Sequence, residues 1–102
     1  MKVLLTHGYF LNDDQKEMEI MKPYVPLGIL YIAGYLEREK IETEVFDSTF
    51  QSYGLQLAYI NKYQPNVIGL YTNLMTKVNV IRLVKSLRAD EKTKQILLIL
   101  GG

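Results

Sequence analysis

Four short pairs of polar or glycine residues follow apolar runs of this chain, and they are where chemistry is most expected. The pairs are His7-Gly8, Asp47-Ser48, Thr72-Asn73 and Gly101-Gly102. An imidazole, a carboxylate and a hydroxyl can donate or accept hydrogen bonds, and glycine lets a ligand approach the backbone closely. If the apolar runs are parallel strands, all four pairs lie at the edge of the sheet where such folds bind ligands.

Each candidate residue also has a structural interpretation. His7 either contacts a ligand or caps a turn, and Asp47 either binds a ligand hydroxyl or caps the helix that follows it. Gly28 either permits the close approach of a flat ring or only close packing. The acidic segment between residues 7 and 25 is expected to be a solvated loop rather than a metal site.

Several common motifs are absent. No glycine-rich dinucleotide fingerprint or phosphate-binding loop follows the first apolar run, and "HGYFLNDD" is not a flavin-phosphate loop. A receiver domain would need an aspartate where this chain has Thr72-Asn73. With one histidine, no Ser/His/Asp set is recognisable, so we expect this chain alone to have no catalytic activity.

Composition excludes further classes of function. The 102 residues form one domain (1–102) with a net charge of +1, which favours neither nucleic acid nor an anionic membrane as a partner. No apolar run is long enough to span a bilayer. The absence of cysteine excludes disulfides, thiolate zinc sites and an iron–sulfur cluster held by this chain, and it fits a cytoplasmic protein.

The apolar patterns predict alternating strands and helices. Strands are expected at 2–6, 42–47, 66–72 and 95–100, and helices at 26–40, 51–63 and 76–90. In the last helix, Val78, Ile81, Val84 and Leu87 are spaced to form its buried stripe. The pattern predicts a three-layer α/β fold with a flavodoxin-like (Rossmann-like) parallel sheet in the order 2-1-3-4.

Two segments suggest that more protein packs on this domain. "QILLIL" suits an interior strand, so we expect the chain to be the front part of a longer domain whose fifth strand is missing by truncation; the alternative is a complete four-stranded domain. The unpaired fourth strand would favour self-association. The helix in "VPLGILYIAGYLE" carries no charge before Glu37, so something other than solvent is expected to cover its second side.

One spacing resembles a known family. Thr72-Asn73-Leu74 follows the third strand, and Gly101-Gly102 follows the fourth after 26 intervening residues, 75 to 100. This is similar to the second and third signatures of cobalamin-binding domains, an S-x-L element and then a glycine pair. The resemblance implies that the Thr72 hydroxyl and the backbone of the two glycines surround the buried nucleotide tail of the corrinoid.

A second stretch narrows the family. "PLGILYIAGYLEREKIETEVFD" resembles the amino-terminal domain of cobalamin-dependent radical S-adenosylmethionine enzymes, such as the anaerobic Mg-protoporphyrin IX monomethyl ester cyclases and related methylases. The resemblance covers about residues 2 to 102. It implies cobalamin as the cofactor, with S-adenosylmethionine and an iron–sulfur cluster held only by a C-terminal radical domain in cis that this sequence does not contain.

The chain departs from the broader cobalamin-binding pattern at one position. The D-x-H-x-x-G element, whose histidine ligates cobalt, would place Leu27 where that histidine stands. Members attached to radical enzymes commonly lack it, so the resemblance implies cobalt without a histidine ligand. The alternative is a degenerate domain of the same fold that binds no cofactor and serves as an interaction or substrate-side module.

Overall fold

A computed structural model of the chain describes residues 1–11, 27–73 and 76–101. Over these ranges four strands alternate with three helices, as the sequence predicts. They are β1 (Lys2–His7), α1 (Leu27–Arg38), β2 (Glu42–Phe46), α2 (Tyr53–Tyr63), β3 (Val67–Tyr71), α3 (Lys77–Ala89) and β4 (Leu97–Gly101). A single 3₁₀ turn, Ser48–Phe50, follows β2. Most of the acidic segment before α1 lies outside the described residues.

The four strands form one parallel sheet in the order β2-β1-β3-β4. This order, with helices on both faces, confirms the predicted flavodoxin-like α/β fold. Parallel pairing brings the carboxyl ends of all four strands to the same edge of the sheet, which is where such folds bind ligands. Within the described residues, no helix is long and apolar enough to cross a membrane.

One face of the sheet is covered by α2 and α3. The core between these helices and the sheet contains residues of both layers: Leu4, Ile60, Ile68, Leu70, Val80, Leu83, Leu87 and Ile96. Polar groups tie the same layers together. Buried Gln56 of α2 donates from Nε2 to the Thr6 hydroxyl over 2.9 Å and to the His7 carbonyl over 2.8 Å. This face therefore fixes β1 against α2 both by packing and by hydrogen bonds.

The predicted buried stripe of α3 is right at Val84 and Leu87 and wrong at Val78 and Ile81, which are exposed. Val80 and Leu83 face the sheet in their place. Two apolar stripes overlap on this helix, and its contacts with the rest of the fold select between them. Asn79 Nδ2 donates to the carbonyl oxygen of Gly8 over 2.9 Å, which turns the stripe of Val80 toward the core.

The other face of the sheet is covered only in part by the described residues. Helix α1 packs over β1 and β2 through a small core of Val3, Leu5, Ile29 and Ala33. The same face of β3 and β4 has no described helix over it, and β4 is an edge strand. The uncovered floor beside α1 is an apolar groove, and it adjoins the carboxyl edge of the sheet.

Candidate functional site

Residues from four neighbouring strands form a row at the carboxyl edge of the sheet. His7 at the end of β1 is paired in register with Tyr71 of β3, and Tyr71 is paired with Gly101 of β4. Asp47 directly follows the last residue of β2, which pairs with Thr6. The sheet therefore brings together four ends that are far apart in the sequence, as the parallel topology predicts.

His7 and Asp47 form a hydrogen-bonded pair in this row. His7 is fully buried, and its Nε2 lies 2.9 Å from Asp47 Oδ1. The Tyr9 N–H donates to His7 Nδ1 over 3.1 Å, so Nδ1 is the acceptor and the ring proton is on Nε2, donating to Asp47. Burial lowers the pKa of His7, and the hydrogen bond and charge of Asp47 offset this only in part. The imidazole is therefore neutral at pH 7.

Asp47 is the part of this pair that reaches solvent. Its side chain is 48% exposed. Partial burial raises the pKa of Asp47, but hydrogen bonds from Thr49 and His7 lower it by more, so the group stays ionised. All of these bonds reach Oδ1, which also accepts the Thr49 N–H as the cap of the 3₁₀ turn. Asp47 therefore caps a turn through Oδ1, and its Oδ2 accepts none of these bonds.

Ser48 completes a cluster that sequence reasoning missed. Its Oγ lies 3.2 Å from His7 Nδ1, so serine, histidine and aspartate are in contact. Ser48 is fully buried, and its hydroxyl lies 2.7 Å from the Tyr9 carbonyl and 2.9 Å from the His7 carbonyl. Because the Nδ1 lone pair already accepts the Tyr9 N–H, it cannot take a proton from Ser48. The cluster holds together the loops that follow β1 and β2, and it lacks the free base that would activate Ser48 as a nucleophile.

Thr72 and Gly101, picked out by their spacing, are direct neighbours. The Thr72 N–H donates to the Gly101 carbonyl oxygen over 2.7 Å. Thr72 is half-buried, and within the described part of the chain no hydrogen bond reaches its hydroxyl. That hydroxyl can therefore donate to a ligand at the carboxyl edge.

Asn73 has a structural role. Its Oδ1 accepts the Thr76 N–H over 3.0 Å, and its own N–H donates to the Thr76 hydroxyl over 3.0 Å. These reciprocal bonds fix the turn that leads into α3. The remaining predicted site residues, Leu74 and Gly102, lie outside the described residues.

An apolar groove of about 550 Å³ runs along the open face of the sheet beside α1. Its volume is within the range of about 300–1,000 Å³ typical of small-molecule sites. Apolar side chains and glycines line it almost entirely: Met1, Val3, Leu5, Gly28, Ile29, Ile32, Leu36, Ile41, Val67, Gly69, Leu70, Tyr71, Ile99 and Gly101. Two predicted site residues, Gly28 and Gly101, thus lie in the groove.

Glycines keep the groove open. A Cβ at Gly28 or Gly101 would meet no other atom within 4 Å, so a side chain there would extend into the groove. Gly69, in the middle of β3, is a groove residue that the sequence analysis did not single out. A Cβ there would lie 2.7 Å from Leu5 Cδ2. The sequence feature that could have identified Gly69 is its place inside the apolar run "NVIGLYT". A glycine inside a strand often marks a close approach of another group to the backbone.

The described residues offer no ready metal site. No group of three or more histidine, cysteine, aspartate or glutamate side chains among them is arranged to hold a metal ion. Both ring nitrogens of His7 are engaged, Nε2 by Asp47 and Nδ1 by Tyr9. A metal carried by a cofactor at this edge would receive no imidazole from His7 as it stands.

Comparisons of this chain with protein-family models, with curated proteins and with solved structures found no match. The features of this chain that bear on its function are the groove, the row of polar residues at the carboxyl edge of the sheet and the motifs of the sequence.

Proposed function

We propose that this chain is a cobalamin-binding module and that the groove beside α1 receives the nucleotide tail of the corrinoid. The observation that carries the proposal is an apolar groove that reaches the edge of the sheet where Thr72, Asn73 and Gly101 lie. The groove residues would hold the tail, and the residues at the carboxyl edge, Asp47 and Thr72, would hold the outer part of the cofactor.

The apolar lining of the groove supports this proposal for the base of the tail. A flat heteroaromatic base needs a low apolar floor, and the absence of a side chain at Gly69 lets Leu5 lie against β3 beside Ile99. Gly28 and Gly101 leave space at the two sides, since neither would place a Cβ near another atom. The Tyr71 ring lies along the same wall and offers an aromatic contact.

Polar groups for the outer part of the ligand lie at the end of the groove. The Thr72 hydroxyl can donate to the tail, and Asp47 Oδ2 can accept from ligand hydroxyl or amide groups. The buried imidazole of His7 positions Asp47 through its Nε2. In this proposal His7 is a positioning residue rather than a ligand of cobalt.

Cobalamin supplies methyl-transfer or radical chemistry when it is bound, while the protein binds and orients it. This chain contributes no nitrogen to the cobalt, because Leu27 occupies the position of the usual histidine and His7 is bonded at both nitrogens. Electron paramagnetic resonance of the cobalt(II) complex tests this directly. We expect no nitrogen superhyperfine splitting from the protein; a splitting that disappears in His7→Ala would contradict the proposal.

The wider proposal places this module in a cytoplasmic radical S-adenosylmethionine enzyme of the methyltransferase or Mg-protoporphyrin ester cyclase type. A C-terminal domain in cis would carry S-adenosylmethionine and the iron–sulfur cluster, since this chain has no cysteine to hold one. Substrate selection would then belong to that domain. Three clustered cysteines encoded downstream of Gly102 in the same reading frame would support this part of the proposal, and a stop codon directly after Gly102 would contradict it.

One observation favours a second candidate function, a cofactor-free interaction module. The outer side of α1 exposes Leu30, Tyr31 and Tyr35, a surface suited to another protein. Gel filtration separates the two candidates: the protein is mixed with hydroxocobalamin and its absorbance is followed through the column. Corrinoid that co-elutes with the protein supports the first candidate, and protein free of corrinoid supports the second.

A further inference from the structure

The outer edge of β4 is unlike the opposite edge of the sheet. In β4, Leu97, Ile99 and Leu100 are 57%, 55% and 54% exposed. At the other edge, β2 presents Glu42 and Glu44, and charged side chains of this kind keep edge strands from pairing. Strand β4 contains neither a charged residue nor a proline. The charged side chains of β2 therefore protect that edge from pairing with another strand, whereas the edge at β4 has no such protection.

The backbone groups available at this edge can be assigned. The Leu97 N–H donates to the carbonyl oxygen of Asn66, just before β3. The Gly101 carbonyl oxygen accepts from the N–H of Thr72, just after β3. Residues 97, 99 and 101 therefore direct their N–H and C=O groups toward β3. Because successive residues of a strand point these groups in opposite directions, Leu98 and Leu100 present theirs to the outside.

We propose that a second copy of this chain pairs with β4 in an antiparallel register centred on Ile99. In this register Leu98 of each copy faces Leu100 of the other, so the outward N–H and C=O groups bond to each other. Ile99 faces Ile99 of the second copy across the two-fold axis. Leu97 faces Gly101 of the second copy, which has no side chain to obstruct it. The edge is thus complementary to itself, as a two-fold interface requires.

Neighbouring registers are less favourable. Sliding the copies two residues in one direction would pair Leu100 with Ile96, whose carbonyl oxygen already accepts from Arg88 Nη1 over 2.7 Å. Sliding them two residues in the other direction would set Ile99 opposite Gly101 and leave one leucine pair, Leu100 with Leu100, in place of two. The Ile99-centred register uses every outward backbone group described in β4 and sets Leu98, Ile99 and Leu100 opposite apolar side chains.

The dimer should be weak and reversible. Two five-residue strands bury less than the about 1,200 Å² at which standard interfaces begin. We therefore expect a dissociation constant in the micromolar range or weaker, measured by sedimentation equilibrium. The inference does not depend on cobalamin binding, although Ile99 also lies on the floor of the groove.

A single cysteine tests the register, because the chain has none of its own. In Ile99→Cys, the two cysteines would be directly opposite in a non-hydrogen-bonded pair, where Cα atoms lie about 4.5 Å apart and a disulfide can form. We expect rapid oxidation to a covalent dimer. The control is Leu30→Cys, at a position 51% exposed on α1, which should oxidise only slowly. Equal rates, or faster cross-linking at position 30, would overturn the proposal.

Charge reversal tests the same contact in solution. Ile99→Lys and Ile99→Asp should each weaken self-association by about tenfold or more, and an equimolar mixture should restore it. Circular dichroism checks that each variant folds. Leu100→Pro is a second variant, because proline is tolerated on the free side of an edge strand but has no N–H to donate. A wild-type chain that stays monomeric at millimolar concentration, or a mixture no tighter than its components, would overturn the proposal.

Discussion

The Thr72 N–H donates to the Gly101 carbonyl oxygen over 2.7 Å, so the ends of β3 and β4 are directly joined. The whole of α3 and its connections separate these two positions in the sequence, yet the sheet makes them neighbours. The spacing that resembles cobalamin-binding domains therefore brings two residues together at the carboxyl edge: Thr72, and Gly101, which also lines the groove.

Thr72→Val should weaken cobalamin binding without changing stability. The substitution keeps the shape and removes a hydroxyl that no hydrogen bond reaches within the described residues. One lost hydrogen bond to a ligand is worth about 0.5–1.5 kcal/mol, up to about tenfold in affinity by calorimetric titration. The matched control is Thr43→Val, where the hydroxyl donates to the Ile41 carbonyl away from the site. Equal affinity in both variants would argue against a role for Thr72.

Gly69→Ala should narrow the groove. Its new Cβ would lie 2.7 Å from Leu5 Cδ2, the flexible end of that side chain. The Leu5 side chain should therefore turn into the groove, and the sheet should stay folded. We expect cobalamin affinity to fall by about tenfold and the melting temperature to change by only a few degrees. In the control Gly54→Ala, the new Cβ has ordinary space on α2, outside the groove. A large loss of stability with unchanged affinity would contradict this account.

Stability should decrease as the pH falls below about 7 because of His7. Its pKa is lowered in the folded chain, so the unfolded chain binds a proton first, near its ordinary value of 6.5. Its contribution to stability is therefore complete above that value and is lost as the pH falls toward the folded pKa. Protonation would also break the bond from the Tyr9 N–H to Nδ1. The free energy of unfolding, measured with urea, should decrease from pH 7.5 to pH 5.5 in the wild type. His7→Asn should not show this decrease.

Ser48→Ala should cost stability and change no activity. Its hydroxyl bonds to the carbonyls of Tyr9 and His7, and the loss of one hydrogen bond costs about 0.5–1.5 kcal/mol. Urea unfolding measures this loss. Hydrolysis of p-nitrophenyl acetate should be equally slow in the wild type and the variant, because Ser48 is buried and has no free base. Hydrolysis that depends on Ser48 would show that the cluster is catalytic after all.

The alternation of strands and helices, the parallel sheet and its order followed from local patterns, because each apolar run and each helical stripe is a short-range signal. The face that α3 buries could not be predicted from these patterns, because two apolar stripes overlap on this helix. The buried one is on the side from which Asn79 reaches the Gly8 carbonyl, a contact between distant parts of the sequence. The cluster of His7 and Ser48 also did not follow, since their contact spans 41 positions and depends on strand register.

The role of Gly69 required the structure for a different reason. A glycine within a strand signals close approach, but only the position of Leu5 shows what is approached. For β4, the apolar run predicted a strand, but not which of its backbone groups face away from β3. That assignment depends on the bonds of Leu97 and Gly101 to the neighbouring strand.

The most direct test of the central claim compares two glycines of the same helix. Gly28 and Gly34 both lie in α1, and a Cβ at either would meet no other atom within 4 Å, but only Gly28 lines the groove. Calorimetric titration with hydroxocobalamin would be carried out on the wild type, Gly28→Leu and Gly34→Leu. The account predicts binding by the wild type and Gly34→Leu, and a loss of about tenfold or more in Gly28→Leu. No binding by the folded wild type, or equal binding by all three proteins, would contradict it.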